Sequence, residues 1–201
     1  MVSSGKPFSP ASERNRSSIV NSLQPLLVDA RSVLEIGSGT GQHAVFFGEH
    51  MPHLKWQTSD LRENHSAIRM WIEEAGLPNV RPPLELDVDD NDWPIERFDV
   101  VYTANTLHIC SWSSVENMFS GVSSVLNASG LFCVYGPFSY DGRHTSRSNA
   151  DFDLSLRARD PRSGIRTFEQ VHELAQRNKM LLKDDQAMPA NNRLLVFHQT
   201  G

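Results

Sequence analysis

The chain predicts an α/β fold: a mostly parallel sheet of seven strands, the last antiparallel, with helices on both faces. Three observations predict it. Short apolar runs alternate with amphipathic stretches along the 201 residues. The first run, "SVLEI", leads straight into three alternate glycines, Gly37, Gly39 and Gly41. The last two runs, "MLLKDDQAM" and "NRLLVFHQ", are joined only by "PANN", which is too short for a crossover helix, so they must be antiparallel to each other.

Each element has its own signal. "SPASERNRSSIVNSLQPLLVDA" reads as a helix, with Ser9 as cap, Pro10 at the first helical position, and Pro25 as a kink or split. "SVLEIG" is a buried strand, "QHAVFFGEHM" a helix stopped near Pro52, and "LKWQTSD" a second strand. Residues 63–75 put Ile68, Trp71, Ile72 and Ala75 on one helical face, ended by Gly76 and Pro78. "RPPLELDV" and "RFDVVYTAN" are the third and fourth strands. Residues 113–127 carry Val115, Met118, Phe119, Val122, Val125 and Leu126, the clearest amphipathic helix. "GLFCVYGPF" is the fifth strand. The polar stretch 139–163 predicts at most a short helix around 150–157, and 167–178 predicts the last helix. The sixth strand should run parallel to the first five, with the seventh reversed.

The length fits one domain over 1–201, with 1–30 as an N-terminal lid and 31–201 as the core. The composition, 39% hydrophobic and 21% charged, is that of an ordinary globular protein. The net charge of −5 gives no basic footprint for nucleic acid. Cys110 and Cys133 stand outside any CxxC or Cys/His cluster, which fits free thiols in a reducing compartment. The start "MVSSG" carries no functional weight. No signal core and no membrane-length run is present, so the expected location is the cytosol, or else the nucleus.

Glycine is costly inside regular structure and useful where a backbone bends or approaches a ligand. In an open α/β sheet, ligands bind beyond the carboxyl ends of the strands, and the first strand–helix turn holds a nucleoside cofactor. The dinucleotide pattern is GxGxxG. Here the pattern is GxGxG, Gln42 takes the third glycine's place, and Glu35 stands two residues before Gly37. A carboxylate there repels pyrophosphate. It suits a ligand with a cationic amino-acid end, such as S-adenosylmethionine (SAM).

"LEIGSGTG" resembles motif I of the class I SAM-dependent methyltransferases, which are Rossmann-like. The resemblance implies that Glu35, Gly37, Gly39 and Gly41 surround the cofactor. It places Asp60, with Leu61 beside it, at the ribose hydroxyls. Asp87, with Val88, falls at the adenine edge, although Asp89, Asp90 and Asp92 compete within "DVDDND". Asn105, after the fourth strand, falls near the transferring methyl. "KPFSPASERN" and "MPANNRLLVF" are similar to the end signatures of the methyltransferase-like protein 26 family, and "NTLHI", "YGPF" and "GIRTFEQV" are similar to it as well. The match spans nearly the whole chain. It departs at "DPRSGIR", where a bulky aromatic would precede the glycine, and it names no acceptor.

Methyl transfer from a sulfonium needs an oriented acceptor and exclusion of water, with a base only where the acceptor loses a proton. "ANTLHI" is not the Asn/Asp-Pro-Pro-Tyr/Phe motif that clamps planar amino groups, so base-amino and glutamine-amide acceptors are disfavoured. His108 is the candidate base; the competing reading is a histidine packed behind its loop. Asn105 is its catalytic neighbour. Topology sends the loops after the fourth and fifth strands and the "PANN" turn to one edge, with Tyr135, Tyr140, Asn191 and Asn192 as acceptor contacts. Arg14 either meets an acidic ligand group from the lid or belongs to a solvated face. His43, His50 and His53 make no convincing metal site, and no metal is expected. The expected activity is methyl transfer to the oxygen or nitrogen of a small molecule by a monomer or homodimer. The alternatives are a SAM-binding sensor or partner subunit without catalysis, and a nicotinamide-dependent oxidoreductase, which Gln42 and the terminal hairpin oppose.

Overall fold

The computed structural model describes residues 5–90 and 92–200. Residues 1–4, most of the "MVSSG" start, lie outside them, as do residue 91 of the acidic run and residue 201. The chain forms two compact units, Met1–Asp87 and Val88–Gly201.

The first unit holds α1 (Pro10–Leu26), β1 (Ser32–Ile36), α2 (Gln42–His50), β2 (Lys55–Asp60), α3 (His65–Ala75) and β3 (Val80–Glu85). Ser9 caps α1 by accepting from the Ser12 N–H at 3.2 Å. Pro25 does not split this helix. It lies in the last turn, where its missing N–H helps end the hydrogen-bond ladder by Leu26. The three strands are parallel, with Val33 beside Trp56 and Trp56 beside Val80. Ile19, Leu23, Leu34, Phe47, Trp56 and Ile68 are fully buried and form the core. β3 ends at Glu85, two residues before Asp87.

The second unit holds β4 (Phe98–Ala104), α4 (Trp112–Val125), β5 (Leu126–Gly136), β6 (Phe138–Tyr140), β7 (Arg143–His144), α5 (Arg147–Arg159), β8 (Arg166–Thr167), α6 (Phe168–Arg177), β9 (Met180–Met188) and β10 (Asn192–Gln199). β4 and β5 are parallel, while β10 is antiparallel to both β5 and β9. β9 therefore runs parallel to β5, as the short "PANN" connection requires. Phe119, Phe132 and Phe197 pack as an aromatic cluster with centroids 5.1–6.5 Å apart. A small second sheet has the order β7-β6-β8. Across the chain, seven strands form the mostly parallel sheet in the order β3-β2-β1-β4-β5-β10-β9.

The stretch 139–163 is more ordered than its composition predicts. α5 is 13 residues long rather than a short helix around 150–157. Ser146 caps it by accepting from the Asn149 N–H, and its buried residues are Asn149, Asp153 and Leu156. Two of those three are polar, so the helix leaves no apolar period in the sequence.

Candidate functional site

The first unit's glycine turn is stitched to β2. The Ser38 N–H donates to the Ser59 carbonyl at 3.0 Å, and the Gly39 N–H donates to Asp60 Oδ2 at 2.6 Å. Gly37, Gly39 and Gly41 have φ of 70°, 60° and 89°. A side chain on Gly41 would start 3.1 Å from the Ile68 Cα, so this glycine serves the close approach of α2 to α3. Gly39 differs: among the described residues nothing lies within 4 Å of where its Cβ would stand. The backbone there is bare and open.

Glu35 lies under this turn and is 2% exposed. Ser38 Oγ and Trp56 Nε1 both donate to its Oε2, at 2.9 and 3.1 Å, and no described residue bonds its Oε1. Burial outweighs those two bonds and raises the carboxyl to about 7. Asp60 is more heavily used. Besides Gly39, it accepts at Oδ1 from the Leu61 N–H and from Asn64 Nδ2, both at 2.8 Å. A carboxylate oxygen has about two acceptor sites, so Oδ2 keeps one for an incoming hydroxyl while Oδ1 is full. Accepting both hydroxyls of a diol requires Asn64 to let go. Leu61 is exposed beside it, and Asp87 and Val88 are half-buried past β3. Asp89 is spent on α4, where it accepts from Ser114 Oγ at 2.8 Å and Asn117 Nδ2 at 3.0 Å.

The N-terminal segment is fastened to this turn through Ser9 and Asn15, while Arg14 is exposed on α1. The Ser9 N–H donates to Gln42 Oε1, and Asn15 Oδ1 meets His43 Nε2 at 2.7 Å. His43 is 6% exposed, and burial drops its ring to about 4, so it is a neutral link. Upstream, Trp71 Nε1 donates to the Pro7 carbonyl at 2.7 Å, and Lys6 Nζ sits 3.4 Å from the Trp71 ring centroid. Gln42 Nε2 is buried with no partner among the described residues. In the sequence Gln42 reads only as a missing glycine, and nothing there marks Ser9, Asn15 and His43 as fasteners.

In the second unit, the ends of β4 and β5 and the start of β10 lie level, with Ala104 beside Tyr135 and Gly136 beside Arg193. Asn105 follows β4 at φ 60°, a conformation asparagine tolerates, and its N–H donates to the Tyr135 carbonyl at 2.8 Å. His108 is 6% exposed. Its ring meets Phe152 edge-on at 5.3 Å, and its Nδ1 lies 3.8 Å from where a Cβ on Gly136 would stand. Burial first, then the charges of Arg166 and Arg159, lower His108 to about 4. The imidazole is therefore neutral at pH 7.

Tyr140 donates its hydroxyl to Asp185 Oδ2 at 2.8 Å and stacks on Phe168. Arg193 Nε donates to the same carboxylate at 2.7 Å, and its guanidinium lies 5.6 Å from the Tyr140 ring centroid. Burial, then the Asp185 bond, hold the Tyr140 phenol well above its usual value. Asn191, at φ 58°, accepts from Asn149 Nδ2 at 3.0 Å through its carbonyl, and Asn192 Nδ2 donates to the Pro189 carbonyl. Asn191 and Asn192 lie where β9 passes into β10, and Tyr140 of β6 reaches β9 through Asp185. Tyr135 does not join them: it lies within β5 at 2% exposure, a core position rather than a loop contact.

Among the described residues, no group of three or more His, Cys, Asp or Glu is placed to hold a metal, and no helix is long and apolar enough to cross a membrane. Cys133 is fully buried, which raises its thiol to about 12.

The family model described as "Protein of unknown function (DUF938)" matches residues 6–199. Among solved structures, the chain is similar to the mitomycin 7-O-methyltransferase MmcR, at 14% identity and a TM-score of 0.84, covering 94% of this chain and 54% of that one. It is similar to the S-adenosylmethionine-dependent methyltransferase SibL in its apo form, at 21% identity and a TM-score of 0.81, covering 95% and 56%. An O-methyltransferase family protein from Burkholderia thailandensis matches at 18% identity and a TM-score of 0.78, covering 92% and 58%. The chain thus spans little more than half the length of these structures. The likeness establishes the Rossmann-like class I methyltransferase fold.

Proposed function

We propose that this chain, which belongs to the DUF938 family, transfers a methyl group from SAM to the oxygen or nitrogen of a small molecule. The glycine turn carries the reading. A bare backbone at Gly39 stands beside a buried Glu35 with one unbonded oxygen and an Asp60 with one acceptor site to spare. These fit, in order, close approach of a nucleoside, a cationic ammonium and a ribose hydroxyl. The fold is shared with O-methyltransferases that act on small molecules such as mitomycin, which favours oxygen as the accepting atom. The end signatures favour the methyltransferase-like protein 26 family as the finer assignment.

When bound, SAM supplies an electrophilic methyl with a good leaving group. The protein's part is orientation and water exclusion. Glu35 and Asp60 would hold the two ends of the donor, with Leu61 and Asp87 at the base; the motif resemblance assigns Val88 to the base and Asn105 to the methionine end. Ser9 and Asn15 fasten the N-terminal cover. His108, neutral and without a ring hydrogen bond to a described residue, takes the proton from a hydroxyl acceptor. Tyr140, Asn191 and Asn192 border the acceptor.

Incubating the protein with labelled SAM and a metabolite extract, then identifying labelled products by mass spectrometry, tests the reading. Calorimetry should show SAM binding and no NAD(H) or NADP(H) binding; the reverse pattern excludes it. SAM binding with no labelled product from any extract identifies a sensor instead. His108→Ala should stay folded, keep SAM affinity and lose at least tenfold in turnover, within the range general-base catalysis supplies (about 10²–10⁴). Unchanged turnover removes His108 from the mechanism. Gly39→Val should fold at a cost of about 1–2 kcal/mol for the left-handed conformation and bind no SAM, because the side chain fills the open space. Normal SAM binding by a folded Gly39→Val would move the ligand away from this turn.

A further inference from the structure

The loop after β4 is held from one side by a single short segment. The Leu107 carbonyl accepts from Arg166 Nε at 2.9 Å, and the His108 carbonyl accepts from the Gly164 N–H at 2.9 Å. The Ile109 carbonyl accepts from Ser163 Oγ at 2.9 Å, and the Cys110 carbonyl accepts from Arg166 Nη2. Four consecutive carbonyls thus end on residues 163–166. Arg166 Nη2 also donates to the Arg162 carbonyl at 3.0 Å, and the guanidinium lies 5.9 Å from the Trp112 ring centroid.

Arg166 is 8% exposed, and every bond it makes goes to a backbone carbonyl rather than a carboxylate. Burying a guanidinium with no carboxylate in direct contact is costly, and the charge of Asp153 offsets that only from a distance. A plain structural tie needs no charge. What the site needs is a rigid fork that spans Leu107 and Cys110, the two residues that bracket His108, and only arginine supplies it. The segment that carries the fork is itself anchored. Asp153 Oδ1 accepts from the Ile165 N–H at 2.6 Å, and its Oδ2 accepts from Arg157 Nε at 2.9 Å. At Gly164, with φ 151°, a Cβ would fall 2.5 Å from Arg157 Nη2 and 2.9 Å from Asp153 Oδ1, so the backbone is pressed onto that pair.

We propose that Arg166 is a positioning residue for the reaction: its fork, with Ser163 and Gly164, fixes the 107–110 backbone so that the His108 ring is held at the carboxyl end of β5. The role rests on reading His108 as the acceptor base. In "DPRSGIR" Ser163 stands directly before Gly164, where its short side chain reaches the Ile109 carbonyl. The charged groups that face His108, Arg166 and Arg159, are both cationic, so the same arginine also disfavours a premature imidazolium.

The test uses the full chain, with NMR observation of the His108 imidazole and hydrogen exchange at the Gly164 amide. Arg166→Lys keeps the charge and loses the fork. It should raise Gly164 exchange roughly tenfold and broaden or shift the His108 ring signals. Arg166→Met removes the charge as well and should also move the imidazole titration upward. Ser163→Ala removes one bond and should give a smaller change of the same kind, which decides the matter if Arg166→Met fails to fold. Once an acceptor is known, Arg166→Lys should lower kcat with little change in KM for SAM. Folded variants with wild-type His108 signals and Gly164 exchange would overturn the proposal. SAM titration of the same samples separates the two readings: absence of SAM binding in the wild type defeats the methyltransferase assignment and leaves the loop measurement standing.

Discussion

The Glu35→Gln variant should unfold at a higher temperature than wild type at pH 8 and at nearly the same temperature at pH 4.5. The Glu35 carboxyl ionises near 4.5 in an unfolded chain and at about 7 in the folded one, because burial outweighs the bonds from Trp56 and Ser38. Below the unfolded value the group is protonated in both states and imposes no penalty. Between the two values the unfolded chain releases its proton first, so stability falls as pH rises. Above about 7 the loss is complete, and a shift of this size corresponds to on the order of 3 kcal/mol. Glutamine keeps an acceptor for Ser38 and Trp56 and carries no charge, so the pH slope between these values should vanish. In a chain of this size the gain appears as roughly 6–12 °C in Tm.

Binding should move the opposite way. A methionine ammonium beside Oε1 favours the ionised carboxylate, so SAM binding below pH 7 releases a proton and tightens as pH rises. Each pH unit below the folded value is then worth up to about tenfold in affinity. The Glu35→Gln variant should bind SAM weakly at all pH values with no proton release. Wild-type melting curves without a pH slope between 5 and 7, after correction by the Glu35→Gln curve, would show that this carboxyl is not the buried acid it is taken to be. A Glu35→Gln variant that binds SAM as tightly as wild type would remove Glu35 from the cofactor's ammonium.

The glycine turn and the strand directions were legible because their causes are local. Three glycines at positive φ, an acid two residues before them and an acid at the end of the next strand follow from the geometry of one turn. The direction of β9 follows from the four residues "PANN" alone. α5 was not legible because its inward positions include Asn149 and Asp153, which read as a solvated stretch until their partners are seen. Tyr135 stands just before the Gly136-Pro137 turn mark, and its burial comes from long-range pairing beside Ala104 and Leu194, which the sequence does not show. Arg166 and Ser163 lie in a polar stretch rich in arginine. Nothing in it separates an arginine paired with an acid, such as Arg162 with Asp160, from one that grips a distant loop 56–59 positions earlier in the chain. Long-range backbone acceptors leave no pattern in sequence, because every residue has a carbonyl.

Asp60→Ala should damage both stability and cofactor binding, and the stability loss should be visible without any ligand. The carboxylate is 8% exposed and accepts three bonds, from the Gly39 and Leu61 N–H groups and from Asn64 Nδ2. Removing it leaves two backbone donors in a part-buried turn without partners, and each such orphan costs about 1–3 kcal/mol. The sum is on the order of 3 kcal/mol, or roughly 6–12 °C in Tm for a domain of this length. The Gly39 bond is the consequential one, because it ties the open backbone of the turn to the end of β2. Without it the turn loses the shape that meets the ligand, and the ribose loses its acceptor. SAM affinity should then fall at least tenfold, measured by calorimetry at a temperature where both proteins are folded. Asp60→Asn separates the two effects. Its amide oxygen can still accept from the Leu61 N–H, but its NH₂ then faces the Gly39 N–H, donor against donor. The Asp60→Asn variant should therefore recover part of the Tm and none of the affinity. An Asp60→Ala variant with a wild-type Tm would mean that the carboxylate does not hold the turn. An Asp60→Ala variant with wild-type SAM affinity would mean that the ribose lies elsewhere.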